Sequence, residues 1–202
     1  WTATKADLII TPSNHLKNVV KGWGVKENSI KVIYNGTKLK NKPDPIDDQP
    51  YDYFKFITVG RLAPWKNIDI IIEALSDYKK ANQNFIFYII GSGPEEIKLK
   101  KLVKDLDLEN FVTFTGQLQK DDLNYYLQKS DVYIQASSYE GLPHVILEAM
   151  SHNLSIISTP IGGTNEVIQD GINGWVWELE NNFKPNKNNL IKILNNLKLN
   201  SF

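Results

Sequence analysis

Short runs of Ile, Val, Phe and Tyr recur along the chain, with polar and apolar residues mixed at helical spacing between them. The runs predict strands at 55–60 (KFITVG), 85–91 (FIFYIIG), 111–116 (FVTFTG), 131–137 (DVYIQAS) and 155–159 (SIIST), with a short one at 174–178 (GWVWE). A helical pattern follows each of the first five, at 67–80, 95–106, 121–129, 143–152 and 164–169, and a last one spans 187–198. Strands alternating with helices in this way predict an α/β fold, a doubly wound parallel sheet covered by helices on both faces. The first five strands end in Gly, Ser or Thr, as expected where loops at the carboxyl edge of such a sheet approach a ligand. The lysines of IKLKKLVKDL (97–106) alternate with Ile97, Leu99, Leu102, Val103 and Leu106, which reads as the solvated face of an amphipathic helix rather than a membrane-docking segment.

The first forty residues have a pattern of their own: a strand in ADLIITPS, a helix in NHLKNVVKGWG and a strand in KVIYNG. Three such elements cannot bury their own faces, so residues 1–40 read as the end of another domain and its crossover. KLKNKPDPIDDQP follows, with three prolines and alternating charge, and places a linker at 41–50 before a second domain at 51–202. The opening at Trp1 rather than Met reads as a fragment of a longer protein.

Composition narrows the function. Lys+Arg and Asp+Glu both number 23, so the net charge is zero and the basic footprint of a nucleic-acid binder is missing. There is no cysteine, which excludes a disulfide framework and thiolate metal sites and fits a reducing compartment. The longest apolar runs fall far short of the roughly 18 residues that cross a bilayer, and WTATKADL lacks the apolar core of a signal peptide.

Candidate chemistry gathers at two strand ends. Arg61, in GRLAPWKN, is the only arginine among 23 basic residues, and it stands where a planar fork could grip an anion through two parallel hydrogen bonds. Lys66 lies just before the expected N-cap Asn67, so both cations could converge on phosphate at a helix mouth. A surface ion pair between Arg61 and a carboxylate is the plainer alternative. In SSYEGLPHVILEAM (137–150), Pro143 predicts a helix start, with Glu140 in the loop before it and Glu148 about 7 to 8 Å further along the axis. These carboxylates could cap the helix and form a surface pair, or they could bind the two polar ends of one ligand. Paired carboxylates also suit glycoside hydrolysis, which gives Arg61 and Lys66 no role. GSGPEE fails the G-x-G-x-x-G dinucleotide fingerprint, because Glu96 stands where the third glycine belongs; a tight turn near a ligand base is the expected use. His15, His144 and His152 lack metal-ligand spacing, and the glycines of STPIGGTNEVI permit a close backbone approach or serve structure alone.

Taken together, VGRLAPWKN, EGLPHVILE, VIYNGTK, IIGSGP, FTGQL and IGGTNEVIQDGINGW resemble the retaining glycosyltransferases of GT-B fold classed as family 4, EGLPHVILE matching their E-x7-E signature. The resemblance covers nearly the whole chain and implies a C-terminal donor-binding domain of Rossmann-like fold with a remnant of the acceptor domain. It implies that Arg61 and Lys66 hold a donor diphosphate, Glu148 the ribose hydroxyls and Glu140 the transferred sugar as the catalytic residue, with backbone amides at Gly141 and Leu142 meeting sugar and phosphate. The implied reaction moves a hexose from a nucleoside diphosphate sugar, a UDP-sugar foremost, to a glycan or lipid-linked acceptor with retention, in cell-surface polysaccharide biosynthesis. It needs no metal or cofactor and no nucleic acid, and runs in the cytoplasm at the inner membrane face, with peripheral association through the missing domain. Thr37 and Lys38 depart from the Val-Asp usual after Asn-Gly. A nucleotide-sugar binding module and a nucleotide-sugar epimerase are the alternatives.

Overall fold

The computed structural model describes residues 2–38, 53–82 and 84–197; the expected linker at 41–50 lies outside them. Six parallel strands form one sheet: β3 (Phe54–Val59), β4 (Phe85–Ile90), β5 (Val112–Gly116), β6 (Val132–Gln135), β7 (Ser155–Ser158) and β8 (Trp175–Val176). Their order is β5-β4-β3-β6-β7-β8. The chain therefore builds outward from β3 to β5, returns to the middle, and builds outward again from β6. Phe56 pairs with Val132 and Ile57 with Tyr133 across the seam between the two halves. At this seam the chain leaves β3 and β6 toward helices on opposite faces of the sheet, the switch point beyond whose carboxyl ends such folds form a crevice.

The strands are apolar nearly throughout because both faces are covered. Phe56, Phe85, Phe87 and Ile89 point into one core with the helices α2 (Ile68–Lys79), α3 (Glu96–Asp105) and α6 (Lys187–Asn196). Their strand neighbours Ile57, Tyr88 and Ile90 point into a second core that takes in Leu127 of α4 (Lys120–Gln128) and Ile146 and Ala149 of α5 (His144–Ser151). In α2, Ile68, Ile71, Ile72 and Leu75 recur at i, i+3, i+4 and i+7, and all are buried. Each such side chain taken fully out of water contributes roughly 1.5 to 3 kcal/mol.

Three local expectations are corrected. The segment expected as a helix at 164–169 is a 3-10 turn, Gly162–Glu166, because Gly162 is left-handed at φ 63° and the chain must press back against the Glu140 loop. Pro143 takes the N-cap of α5, with ψ 120°, so the helix starts one residue later than expected. Ile97 is 85% exposed: Leu99 and Val103 carry the buried stripe of α3, and Ile97 lies on the opposite side.

The first residues form a separate small unit. β1 (Ile9–Thr11) and β2 (Ile30–Val32) pair in parallel, with α1 (Asn14–Gly22) between them in the chain. Val20, Val25 and Ile30 make its core, while Leu8, Ile10 and Ile33 stay exposed, so the unit does not cover its own apolar residues.

Candidate functional site

The residues singled out at the ends of β3 and β6 meet at the seam. Gly60 and Arg61 leave β3, and a 3-10 turn at Pro64–Lys66 carries Lys66 back across the crevice. There its Nζ lies 2.6 Å from Glu140 Oε1, and Ser137 Oγ donates to the same oxygen at 2.7 Å. The Lys66 and Glu140 side chains are only 21% and 14% exposed, so the pair is largely shielded from solvent screening. Glu140 is thus held by a lysine and a serine and does not cap α5.

Asn67 occupies the N-cap of α2 as expected, but its side chain does not cap. It sits in the left-handed region at φ 47°, and its Nδ2 crosses the seam to Ala136 O (2.8 Å) and Ser138 Oγ (2.7 Å). Ser138 N returns a bond to Trp65 O at 2.8 Å, so the two loops are stitched in both directions. The amide N–H groups of Gly141 and Leu142 donate to no acceptor among the described residues.

Arg61 is exposed, and its guanidinium has no hydrogen-bond or carboxylate partner among the described residues, which removes the surface ion-pair reading within them. It lines an open cleft of about 570 Å³ with Gly60, Ser92, Gly93, Gln117 and Leu118 at the ends of β3, β4 and β5. The cleft and the Lys66–Glu140 pair adjoin at Gly60, where a Cβ would stand 3.5 Å from Lys66 Nζ. GSGP is the tight turn expected: a Cβ on Gly91 would fall 1.9 Å from Gly60 O, so only glycine allows the two loops to close the cleft floor.

Glu148 is half-buried on α5. It does not touch Glu140, but both act on the wholly buried phenol of Tyr133 from β6. Burial, then the charges of Glu140 and Glu148, push that phenol well above its usual range and keep it neutral.

The Gly162–Glu166 turn closes the far side. A Cβ on Gly162 would fall 1.9 Å from Glu140 O, and Gly163 N donates to Gly141 O at 2.5 Å, so these glycines are required by the approach to the Glu140 loop. From the same turn Glu166 reaches the small first unit. Its Oε2 accepts from Asn14 N (2.9 Å), Asn14 Nδ2 (2.9 Å) and Tyr34 OH (2.7 Å), and its Oε1 accepts from His15 N (2.8 Å). It thereby satisfies the open N–H groups at the start of α1, whose N-cap Ser13 accepts from Leu16 N. Sequence reasoning missed Ser137, Ser138, Tyr133, Tyr34 and Glu166. Glu166 stood inside a motif already quoted, but a single acidic residue after two glycines carries no signal of a partner some 150 positions away. His15 contributes its backbone to this junction, His152 Nε2 lies 3.3 Å from Asn124 Oδ1, and His144 is exposed.

A doubly wound parallel sheet with a lysine–glutamate pair at its seam has a Rossmann-like architecture, in which ligands bind beyond the carboxyl ends of the strands. The chain belongs to the family of glycosyl transferases group 1, whose model matches residues 41–201. An uncharacterized glycosyltransferase of Methanocaldococcus jannaschii is 31% identical over 200 residues, covering 95% of this chain and 50% of that protein. The amylovoran biosynthesis glycosyltransferase AmsK of Erwinia amylovora is 28% identical over 84% of this chain and 43% of its own length. Among solved structures, Anabaena HepE in complex with UDP and glucose superposes with a TM-score of 0.81 at 26% identity, over 96% of this chain and 54% of that one. The chain spans about half the length of the relatives it matches, and it shares the GT-B glycosyltransferase fold of its structural neighbours.

Proposed function

We propose that this chain is the donor-binding half of a retaining family 4 glycosyltransferase, which moves a hexose from a UDP-sugar to a glycan or lipid-linked acceptor in polysaccharide or glycolipid biosynthesis. The observation that carries the reading is the meeting of Lys66 and Glu140 across the seam, beside a cleft whose one arginine has no partner among the described residues. The names of AmsK and HepE's ligands agree with it. In this reading the nucleoside lies in the cleft over Gly93 and Gln117, and the diphosphate lies between Arg61, Lys66 and the free amides of Gly141 and Leu142. Glu148 takes the ribose hydroxyls, and Glu140 takes the sugar.

Cleavage of the sugar–phosphate bond leaves negative charge on the diphosphate. Arg61, Lys66 and the oriented amides stabilise that charge, so the transfer needs no metal in this scheme. Lys66 must share itself between Glu140 and the phosphate, so donor binding loosens Glu140 and frees it to orient the sugar. Residues 1–40 belong to the acceptor domain, and its remainder covers Leu8, Ile10 and Ile33. Alignment of the acceptor hydroxyl supplies roughly 7 to 11 kcal/mol in well-oriented systems, so the 202-residue chain alone binds donor without measurable transfer.

The test is thermal denaturation with UDP and other nucleoside diphosphates at millimolar concentration, followed by calorimetry with UDP-sugars. A ligand bound only by the native state raises Tm by mass action. No shift with any nucleoside diphosphate would sink the donor-site reading, and transfer by this chain as fast as by a two-domain enzyme would sink the division of labour.

A further inference from the structure

Three residues with large, exposed aromatic side chains have their backbones joined at one serine. Ser138 N donates to Trp65 O at 2.8 Å, Ser138 Oγ donates to Phe183 O at 3.2 Å, and Tyr139 is the next residue in the chain. Trp65, Tyr139 and Phe183 are 46%, 69% and 67% exposed. Their backbones converge although they come from three separate loops, and Trp65 and Tyr139 immediately precede Lys66 and Glu140. The same loops therefore carry the Lys66–Glu140 pair.

Phe183 is the most telling of the three. It closes a tight turn in which Phe183 N donates to Glu180 O at 2.9 Å and Glu180 N to Lys184 O at 2.7 Å. Its φ of 60° is a left-handed conformation suited to glycine or asparagine and costly for a bulky residue. Asn181 and Asn182 stand beside it in the chain, so a residue better suited to that conformation was at hand. A ring kept there and left in water stabilises neither the turn nor a core, which points to a ligand.

Beside this turn lies an open hollow of about 520 Å³ lined by Leu179, Glu180, Asn181, Asn182 and Asn186. Asn182 and Asn186 use their side-chain oxygens on Lys184 N and Asn189 N, and their NH2 groups have no acceptor among the described residues. Neutral amide donors and one carboxylate, on the loop that also carries the exposed Phe183, match a polyhydroxylated, uncharged ligand: aromatic rings suit the apolar faces of sugar rings, and amides suit hydroxyls. The hollow's only charged lining residue is acidic, so it suits anionic lipid headgroups poorly.

We propose that Trp65, Tyr139, Phe183 and the 179–186 loop form a saccharide-binding rim on this domain, which holds the glycan chain of the acceptor next to the transfer site. Naming that chain the acceptor rests on the transferase reading; saccharide binding itself does not.

The experiment is saturation-transfer difference NMR on the chain with maltotriose, cellotriose and chitotriose at millimolar concentration, comparing wild type with Phe183→Gly and Tyr139→Ala. Glycine is at ease at φ 60°, so Phe183→Gly should keep or raise Tm while weakening trisaccharide binding roughly fivefold or more. The UDP-induced rise in Tm should be unchanged in both variants. Absence of binding by all three trisaccharides, or equal binding by Phe183→Gly, overturns the rim while leaving the donor site standing. Loss of the UDP response alone counts against the donor site and not the rim. Binding of phosphatidylcholine–phosphatidylglycerol vesicles that depends on Phe183, without trisaccharide binding, would make the patch a lipid surface and also overturn the proposal.

Discussion

Removing the Glu166 carboxylate should undock the first unit of the chain without unfolding the sheet. That carboxylate accepts from Asn14 N, Asn14 Nδ2, His15 N and Tyr34 OH, all at 2.9 Å or less. Hydrogen bonds to a charged group contribute roughly 1.5 to 3 kcal/mol each where water is excluded, and a carboxylate at a helix N-terminus adds about 0.3 to 1 kcal/mol. The junction is half open, so water replaces much of this, and we expect Glu166→Ala to cost about 2 to 3 kcal/mol in docking. Native-state hydrogen exchange reads this directly: amides of α1 should exchange roughly 30- to 150-fold faster, while those of β3, β4 and α2 should not change. Glu166→Gln should do part of the damage, because its one amide oxygen cannot serve both sides and its NH2 group would face an N–H donor.

The same junction is pH-dependent. Burial raises the Glu166 pKa, but the hydrogen bonds from Tyr34, His15 and Asn14 outweigh that and hold it below the usual carboxylate range. A carboxyl group with a depressed folded-state pKa contributes stability that is complete above its unfolded value and lost as pH falls through the folded one. Protection of α1 should therefore fall on acidification below the usual carboxylate range in the wild type and stay flat in Glu166→Gln. Unchanged exchange of α1 in Glu166→Ala, or an equal loss in α1 and α2, would refute the reasoning.

Other predictions follow from the site. Arg61→Lys should weaken UDP binding by about 1 to 2 kcal/mol in calorimetry with Tm of the free protein unchanged, since charge remains but the two-pronged grip is lost; equal affinity would mean that Arg61 does not touch the diphosphate. Gly162→Ala should destabilise the chain by at least about 2 kcal/mol in denaturant titration, because its Cβ would collide with Glu140 O at a positive φ. Lys129 Nζ sits 4.7 to 4.9 Å from the ring centres of Tyr88, Tyr125 and Tyr126, so Lys129→Met should cost about 1 to 2 kcal/mol, read as a lower Tm; no change would mean that the three rings do not hold the ammonium.

Much of this molecule is legible in one dimension because its strands and helices differ in period and are bounded by residues that break them. FIFYII, IDIIIEALSDYK and the run after Pro143 each declare their state locally, and the six strands of the main sheet and helices α2 to α6 fall within a few residues of expectation. The spacing of EGLPHVILE and the lone arginine also drew attention to loops that adjoin at the seam, since side-chain chemistry at strand ends survives any sheet order. What the sequence could not decide was which distant groups meet. Lys66 and Glu140 are 74 positions apart and Glu166 and Asn14 are 152 apart, and both contacts exist only because β3 is placed beside β6 and the Gly162–Glu166 turn is pressed onto the Glu140 loop. Backbone preference is a property of a few neighbouring residues, whereas these contacts depend on how whole layers pack. For that reason Asn67 could be read as a cap by position and yet turn out to stitch two loops, and Ile97 could fit a helical pattern and yet face water.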